Sequence, residues 1–177
     1  MSELGGRLIG DHHPKSPIYR FRPVIFILIP LAAILFQVYI SRFFEVLSYL
    51  DMPLLVTVYF ALMRRSPIVG LFLGAGIGLV QDSLSHQPLG MFGIVKTLVG
   101  YFCATVSLRF DVGNSGIRFL LAFFFYFFHQ LMYWVLLRAL LGQAGDFDPR
   151  RELVVALLNA FVALPLFRLL DKLKDRA

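Results

Sequence analysis

The amino-acid sequence predicts an all-α integral membrane protein, a bundle of about six transmembrane helices. Of its 177 residues, 58% are hydrophobic and only 16% are charged, whereas a soluble domain carries roughly 25% charged residues. Apolar stretches recur along nearly the whole chain, and each is close to the ~20 residues that a helix needs to cross a hydrocarbon core of ~30 Å. The bilayer is therefore the expected solvent of most of the chain.

Charged residues, prolines and glycines divide the apolar stretches into six segments. The expected spans are 23–40, 44–63, 67–84, 89–108, 117–141 and 152–170. The first contains Pro30 and is followed by Ser41-Arg42-Phe43-Phe44 rather than by a small-residue cleavage site, so we expect it to remain as a helix. The second contains Asp51 and Pro53, so it could begin as a short interfacial segment before Leu54. All connections are short, and any function must therefore lie within the bundle or on its surfaces.

The basic residues predict the orientation of the bundle. Twelve of the 17 Lys and Arg residues fall in connections on one side and three on the other, while Lys96 and Arg138 lie within spans. Because basic residues are enriched on the cytoplasmic side, both termini are expected in the cytoplasm. The sequence thus predicts a cytoplasmic basic tail over 1–22, a six-helix transmembrane domain over 23–170 and a cytoplasmic tail over 171–177. The twelve are Arg7, Lys15, Arg20, Arg22, Arg64, Arg65, Arg109, Arg118, Arg168, Lys172, Lys174 and Arg176, and the three are Arg42, Arg150 and Arg151.

Several other functions find little support in the sequence. The net charge is +6, but the basic residues lie between apolar spans rather than on a soluble face with stacking aromatics. No nucleic-acid partner is therefore expected. The Asp11-His12-His13 triplet has no spaced second pair of ligands, which favours a solvated tail over a metal site. The glycines of 74–78 are not preceded by a strand, as a phosphate-binding loop would be, so we expect them to serve helix packing. Since catalytic motifs and zinc spacings are also absent, we expect neither an enzyme nor a cofactor.

The third and fourth expected helices each carry small residues on one face. Glycines recur at every fourth position of the third helix, and small residues alternate at spacings of four and three on the fourth. Such rows let helix backbones approach closely in lipid. Because the connection between them is short, we expect the two helices to be antiparallel neighbours with the tightest contact in the protein. The rows are Gly70, Gly74, Gly78 and Asp82 on the third helix, and Gly93, Thr97, Gly100, Ala104 and Ser107 on the fourth.

Lys96 lies within the fourth helix, where a charge is costly unless it is paired or hydrated. Asp82, at the outer end of the third helix, is the nearest candidate partner for an intramembrane ion pair. Alternatively, Lys96 snorkels outward and Asp82 is solvated. Three further polar residues within spans, Gln37, His129 and Asn159, are expected to make interhelical hydrogen bonds rather than a proton relay or a ligand contact.

One segment carries a family resemblance. A glycine-bearing helix from Gly70 ends in Asp82, a short linker follows, Pro88-Leu89-Gly90 opens the next helix, and Gly100-Tyr101 comes later in it. This pattern resembles the MreD family of bacterial rod shape-determining membrane proteins. The likeness is strongest over 53–108, and size and helix count agree over the whole chain. The longer N-terminal tail departs from the family pattern and leaves the role of residues 1–20 open.

The resemblance implies a non-enzymatic scaffold of the cell elongation machinery in the bacterial inner membrane, with a role in lateral peptidoglycan synthesis. Family members work with MreC, a membrane-anchored periplasmic protein, and with the MreB filament, RodA and its penicillin-binding partner. For a scaffold, the sites expected to matter are the turn formed by Asp82, Pro88, Leu89 and Gly90 and the two small-residue faces. The basic ends are expected to meet anionic membrane lipids.

Two alternative functions remain open at the level of the sequence. The family is also similar in fold to the substrate-binding subunits of energy-coupling-factor transporters, so the chain could be a small-molecule (vitamin) binding subunit. In that case Asp82, His86, Gln87 and Lys96 would line an outward pocket. An unrecognised intramembrane enzyme is the third hypothesis. Copurification with an MreC-like partner would favour the scaffold, whereas a retained stoichiometric small molecule would favour the transporter subunit.

Overall fold

The structure, a computed structural model, is helical and describes residues 24–40, 43, 45–85, 88–142 and 147–173. The expected tail over 1–22 and residues 174–177 lie outside the described residues. The helices are α1 (Ile25–Leu35), which continues as a π-helical turn over Phe36–Ile40, α2 (Glu45–Ser48), α3 (Met52–Arg64), α4 (Pro67–Leu84), α5 (Met91–Ser107), α6 (Ser115–Leu141) and α7 (Pro149–Asp171).

Three of these helices, α4, α6 and α7, are long and apolar enough to cross a membrane. Three shorter apolar helices accompany them, over Ile25–Tyr39, Met52–Arg64 and Met91–Ser107. The expected helices at 67–84, 89–108, 117–141 and 152–170 thus each correspond to one helix of the structure, with ends displaced by at most a few residues.

The second expected span is not a continuous helix over 44–63, and the structure agrees with the alternative of a short separate segment before Leu54. The chain forms the short helix α2, leaves helical geometry at Leu50 and Asp51, and begins α3 at Met52. Asp51 starts α3 because its carboxylate accepts a hydrogen bond from the backbone N–H of Leu54 at 2.9 Å, which is the usual role of an N-cap aspartate. Pro53 follows in the first turn, where a missing N–H costs little.

Helix α3 lies at the centre of the bundle. Every residue from Pro53 to Met63 is buried, and the helix packs against α1, α4, α5, α6 and α7. At 1.5 Å per residue, its 13 residues reach only about 20 Å. A helix enclosed by its neighbours need not match the hydrocarbon thickness, because other helices rather than lipid surround it.

Helices α4 and α5 form the most extensive helix pair in the described structure. A Cβ atom added at Gly70 would overlap the backbone of Gly100, at Gly74 the backbone of Lys96, and at Gly78 the backbone of Phe92. The contact positions fall along α5 as they rise along α4, so the two helices run antiparallel. Their backbones touch directly at the glycines, as expected for small residues on facing helices in lipid.

Polar contacts join the helices at the end of the bundle where α3, α5 and α7 end and α6 begins. The Arg118 guanidinium at the start of α6 forms an ion pair with Asp171 at the end of α7. Asp171 also accepts a hydrogen bond from the Tyr59 hydroxyl of α3 at 2.9 Å. Arg65, which follows α3, donates two hydrogen bonds to the carbonyl of Ser107 at the end of α5. These contacts fix the end of α3 among its neighbours.

Candidate functional site

Polar side chains converge where α3 and α5 begin and α4 ends. The Lys96 ammonium on α5 donates a hydrogen bond to the Asp51 carboxylate at 2.9 Å. The Lys96 side chain is completely buried, whereas that of Asp51 is 17% exposed. Because a charge within a membrane bundle is tolerated when it is paired, this ion pair explains how a lysine can lie inside the protein.

The pairing predicted between Asp82 and Lys96 is wrong, and so is the alternative in which both reach water. Lys96 instead pairs with Asp51, and Asp82 is only 1% exposed. The Asp82 carboxylate accepts hydrogen bonds from the backbone N–H groups of Gly90, Phe92 and Gly93 at 3.1, 3.1 and 2.9 Å. These groups lack partners within their own helix because they precede or open α5. Asp82 is therefore a cap of α5 supplied by α4.

The family-motif turn is built around this cap. Gly90 has φ 92°, in the left-handed region that favours glycine. Helix α5 begins at Met91, so Pro88 lies in the turn before it rather than at the start of the helix, and the Met91 N–H donates to the Pro88 carbonyl. Leu89 is 81% exposed at the tip of the turn. Residues His86 and Gln87 lie outside the described residues.

Asp82→Asn should lower the free energy of unfolding by about 2 kcal/mol, because one carboxylate oxygen that accepts backbone N–H bonds is replaced by an amide nitrogen that cannot. Thermal unfolding of the detergent-purified protein measures the change. Ser83→Ala is the matched control, since Ser83 is exposed and its hydroxyl donates to the Leu79 carbonyl of its own helix. Equal stability of the Asp82→Asn variant and the control would contradict the capping role.

Side chains from two other helices hold the break between α2 and α3. On α7, the Asn159 carboxamide accepts from the Asp51 N–H at 3.0 Å and donates to the Tyr49 carbonyl at 2.8 Å. In the π-helical turn after α1, Gln37 accepts from the Met52 N–H at 3.2 Å. Both residues thus make the interhelical hydrogen bonds expected of them, and all three bonds go to backbone groups at the break between α2 and α3.

His129 differs from its predicted role. The ring is 1% exposed, and its Nδ1 atom lies 3.2 Å from the Oε1 atom of Gln130, its neighbour on α6, rather than from a group on another helix. Its Nε2 atom has no hydrogen-bond partner in the described structure and lies 3.9 Å from the Asp51 carboxylate. The ring is nearly parallel to those of Phe92 and Tyr133, with centroids 6.1 and 6.4 Å away. The histidine therefore forms part of an aromatic wall beside the ion pair.

A polar cavity of about 240 Å³ opens beside Asp51 at this end of the bundle. Within it, the Oε1 atom of Gln81 is buried and has no hydrogen-bond partner in the described structure. The residues that line the cavity are Gln37, Ser48, Tyr49, Leu50, Asp51, Gln81, Phe92, Tyr126, Gln130 and Tyr133. They offer amide, hydroxyl and carboxylate groups together with flat aromatic faces.

The position of the cavity differs from the predicted outward pocket. Asp82 and Lys96 are not among the described residues that line it, since Asp82 caps α5 and Lys96 lies behind Asp51. The described residues contain no group of three or more His, Cys, Asp or Glu side chains suited to a metal ion. The arrangement can bind a polar group by hydrogen bonds and stacking.

Comparison with protein families identifies the chain. The family model of the rod shape-determining protein MreD matches residues 18–174. The chain belongs to the MreD family. Comparisons with curated proteins and with solved structures gave no significant match.

Membership in the MreD family gives the chain a role in rod shape determination. The family consists of shape-determining proteins and is not a known enzyme family. The match extends over all the described helices, three of which are long and apolar enough to span a membrane. The polar cavity and the α4–α5 contact therefore belong to an MreD-family protein with helices able to span a membrane.

Proposed function

We propose that this MreD-family protein is a non-enzymatic scaffold of the bacterial cell elongation machinery, and that it acts in the inner membrane on rod shape and lateral peptidoglycan synthesis. Its direct partner is an MreC-like protein, and through that partner it is linked to the MreB filament, RodA and the penicillin-binding partner of RodA. Family membership supports the role. The polar cavity is the observation that supports a mode of binding.

We infer the position of the polar cavity relative to the membrane from the predicted orientation. With the N-terminus in the cytoplasm, α1 runs outward, and the starts of α3, α5 and α7 and the end of α4 lie at the outer face. The cavity beside Asp51 and Gln81 then opens toward the periplasm. Since the connections are short, a periplasmic partner has few surfaces to bind there, and this cavity offers hydrogen-bonding groups that the apolar sides of the bundle lack.

The occupant best matched to the cavity is a polypeptide segment next to the membrane span of the partner. Such a segment carries backbone and side-chain donors that can satisfy Gln81 Oε1, which has no hydrogen-bond partner in the described structure. A buried acceptor without a partner costs free energy that a bound donor recovers. The aromatic rings of Phe92 and Tyr133, whose centroids are 5.1 Å apart, add apolar area for contact.

Ser48→Trp tests this mode of binding, because Ser48 is exposed and lines the cavity. The indole should fill the mouth and reduce recovery of the MreC-like partner in copurification about tenfold, which corresponds to a loss of ~1.4 kcal/mol of binding free energy. Ser83→Trp is the matched control, since Ser83 is exposed near the end of α4 and outside the cavity lining. Undiminished recovery with Ser48→Trp would remove the cavity from the proposal.

A small-molecule (vitamin) binding subunit of an energy-coupling-factor-type transporter is the second candidate, and the polar and aromatic groups that line the same cavity are the observation in its favour. The cavity volume of about 240 Å³ lies a little below the range of ~300–1,000 Å³ of ligand sites. Extraction of the purified protein followed by mass spectrometry separates the candidates. A stoichiometric small molecule, together with normal rod shape in depleted cells, would replace the scaffold by the transporter subunit.

A further inference from the structure

A second concave surface lies beside the start of α7. It occupies about 520 Å³ between the end of α2 and the first half of α7, and we call it the α7 groove. It is lined by Tyr49, Val154, Val155 and Leu158 and, at the start of α7, which we call its mouth, by the exposed residues Asp148, Arg150 and Arg151. Tyr49 lines both this groove and the polar cavity.

The α7 groove has a basic end, at the start of α7, and an apolar strip that continues along the helix. Arg151, Val154 and Leu158 succeed one another at spacings of three and four residues, so they lie on one side of the helix. Val154 is 67% exposed and Leu158 39% exposed. The groove therefore offers an apolar strip that runs from two exposed arginines along α7.

The arginine at the mouth is held in place by an aromatic ring. The Arg151 guanidinium carbon lies 5.5 Å from the centroid of the Tyr49 ring, a cation–π contact. A guanidinium stacked in this way keeps its in-plane N–H donors available for an anion. Asp148, whose carboxylate accepts the Arg150 N–H at 3.0 Å, offsets one of the two positive charges, so the mouth keeps a net positive charge.

Membrane orientation gives no reason for these arginines. They belong to the three basic residues that the sequence assigns to the outer side against twelve on the inner side, and basic residues are generally sparse on that side. A free anion would use the charge at the mouth but not the apolar strip, and a zwitterionic lipid would use the strip with less gain from the charge. A lipid with a net negative phosphate headgroup uses both.

We propose that the α7 groove binds an anionic phospholipid, with the phosphate at Arg150 and Arg151 and an acyl chain along Val154 and Leu158. The site is independent of the proposed partner interaction. Lipid binding there would give the bundle a preference for anionic lipid at the start of α7, near the opening of the polar cavity.

The single tryptophan of the chain supplies a local reporter. The ring of Trp134 on α6 lies 5.5 Å from the ring of Phe147, which directly precedes Asp148 of the groove. Full-length protein is placed in phosphatidylcholine vesicles that contain a small fraction of phosphatidylglycerol with brominated acyl chains, and quenching of the tryptophan fluorescence is measured. Because both leaflets have the same composition, the measurement does not depend on orientation.

We expect brominated phosphatidylglycerol to quench Trp134 as if enriched about fivefold over brominated phosphatidylcholine, the preference that one net positive charge near an anionic headgroup supplies. Arg150→Gln with Arg151→Gln should abolish the preference. Arg168→Gln is the control, because Arg168 is exposed near the opposite end of the same helix. A wild-type protein without preference, or a double variant that keeps it, would overturn the proposal.

Two further arms separate lipid from other anions. Val154→Phe adds bulk to the apolar strip without altering charge, and we expect it to lower the preference at least twofold. If Val154→Phe leaves the preference intact, charge alone attracts the lipid and the groove is not its site. Inorganic phosphate at 10 mM should leave the preference nearly unchanged, and its complete loss would indicate a site for free anions instead of a lipid.

Discussion

Gly74→Ala should largely abolish accumulation of the folded protein, although it adds only one methyl group. In the structure, the added Cβ would lie less than 3.0 Å from the carbonyl group of Lys96 and close to Thr97 on the facing helix. These are backbone atoms, so relief requires α4 and α5 to separate. Overpacking commonly costs 1–3 kcal/mol, and loss of a backbone contact between helices puts this variant at about 3 kcal/mol or more.

The neighbouring glycine of the same helix provides the control. A Cβ atom at Gly76 would meet nothing within 4 Å, so Gly76→Ala should accumulate like the wild-type protein or better, because alanine favours helix by about 1 kcal/mol. Accumulation in membranes and the melting temperature in detergent measure both variants. Gly78→Leu should fail as Gly74→Ala does. Wild-type levels of either would show that the two helices do not meet at these glycines.

The sequence allowed this contact to be predicted because its signal is local. Four-residue spacing places Gly70, Gly74 and Gly78 on one side of a helix, and the short connection to α5 leaves an antiparallel neighbour as the simplest arrangement. The lengths of α4, α6 and α7 were predictable for a similar reason, since uninterrupted apolar stretches reflect the thickness of the bilayer.

Helix α3 was harder to predict because the same apolar pattern serves two environments. A helix buried among other helices and a helix that faces lipid are both apolar on all sides, so composition does not distinguish them. Asp51 and Pro53 were the signs of an interruption, and they do mark the start of α3. The break that separates the short helix α2 from α3 is stabilised by the cap at Asp51 and by the hydrogen bonds that Asn159 and Gln37 make to the backbone there.

The partner of Lys96 was not predictable from spacing. Asp82 is nearer in sequence and lies on the facing helix. Its carboxylate, however, accepts hydrogen bonds from three N–H groups at the start of α5 that have no partner within their own helix. Asp51 lies 45 residues from Lys96 along the chain, and only the packing of α3 against α5 brings the two together. The cavity residues Gln81, Tyr126 and Gln130 were missed likewise, because Gln81 lies on α4 while Tyr126 and Gln130 lie on α6, and only the packing of the helices brings them to one cavity.

Lys96→Met should be among the most destabilising substitutions in the bundle. It removes the cation that pairs with Asp51 at 2.9 Å and leaves a carboxylate largely enclosed by protein. Breaking a buried ion pair from one side typically costs ~3–5 kcal/mol, whereas replacement of both partners can be nearly neutral. Thermal unfolding in detergent and the fraction that stays monodisperse after heating measure the loss.

The second site that rescues Lys96→Met identifies the true partner. Asp51→Asn removes the negative charge but keeps an oxygen that can accept the Leu54 N–H and cap α3. The double variant Asp51→Asn with Lys96→Met should therefore be more stable than Lys96→Met alone by about 2 kcal/mol. Additive losses in the double variant would mean that the two side chains do not interact.

Exchange of the charges at positions 82 and 96 supplies the discriminating comparison. Asp82→Lys with Lys96→Asp would restore accumulation if those two residues were partners. We expect no recovery, because the exchange removes the acceptor of the Gly90, Phe92 and Gly93 N–H groups and places a second carboxylate beside Asp51. Like charges so close within a bundle repel strongly. The exchanged variant should therefore accumulate less than Lys96→Met, and recovery above that level would restore Asp82 as the partner of Lys96.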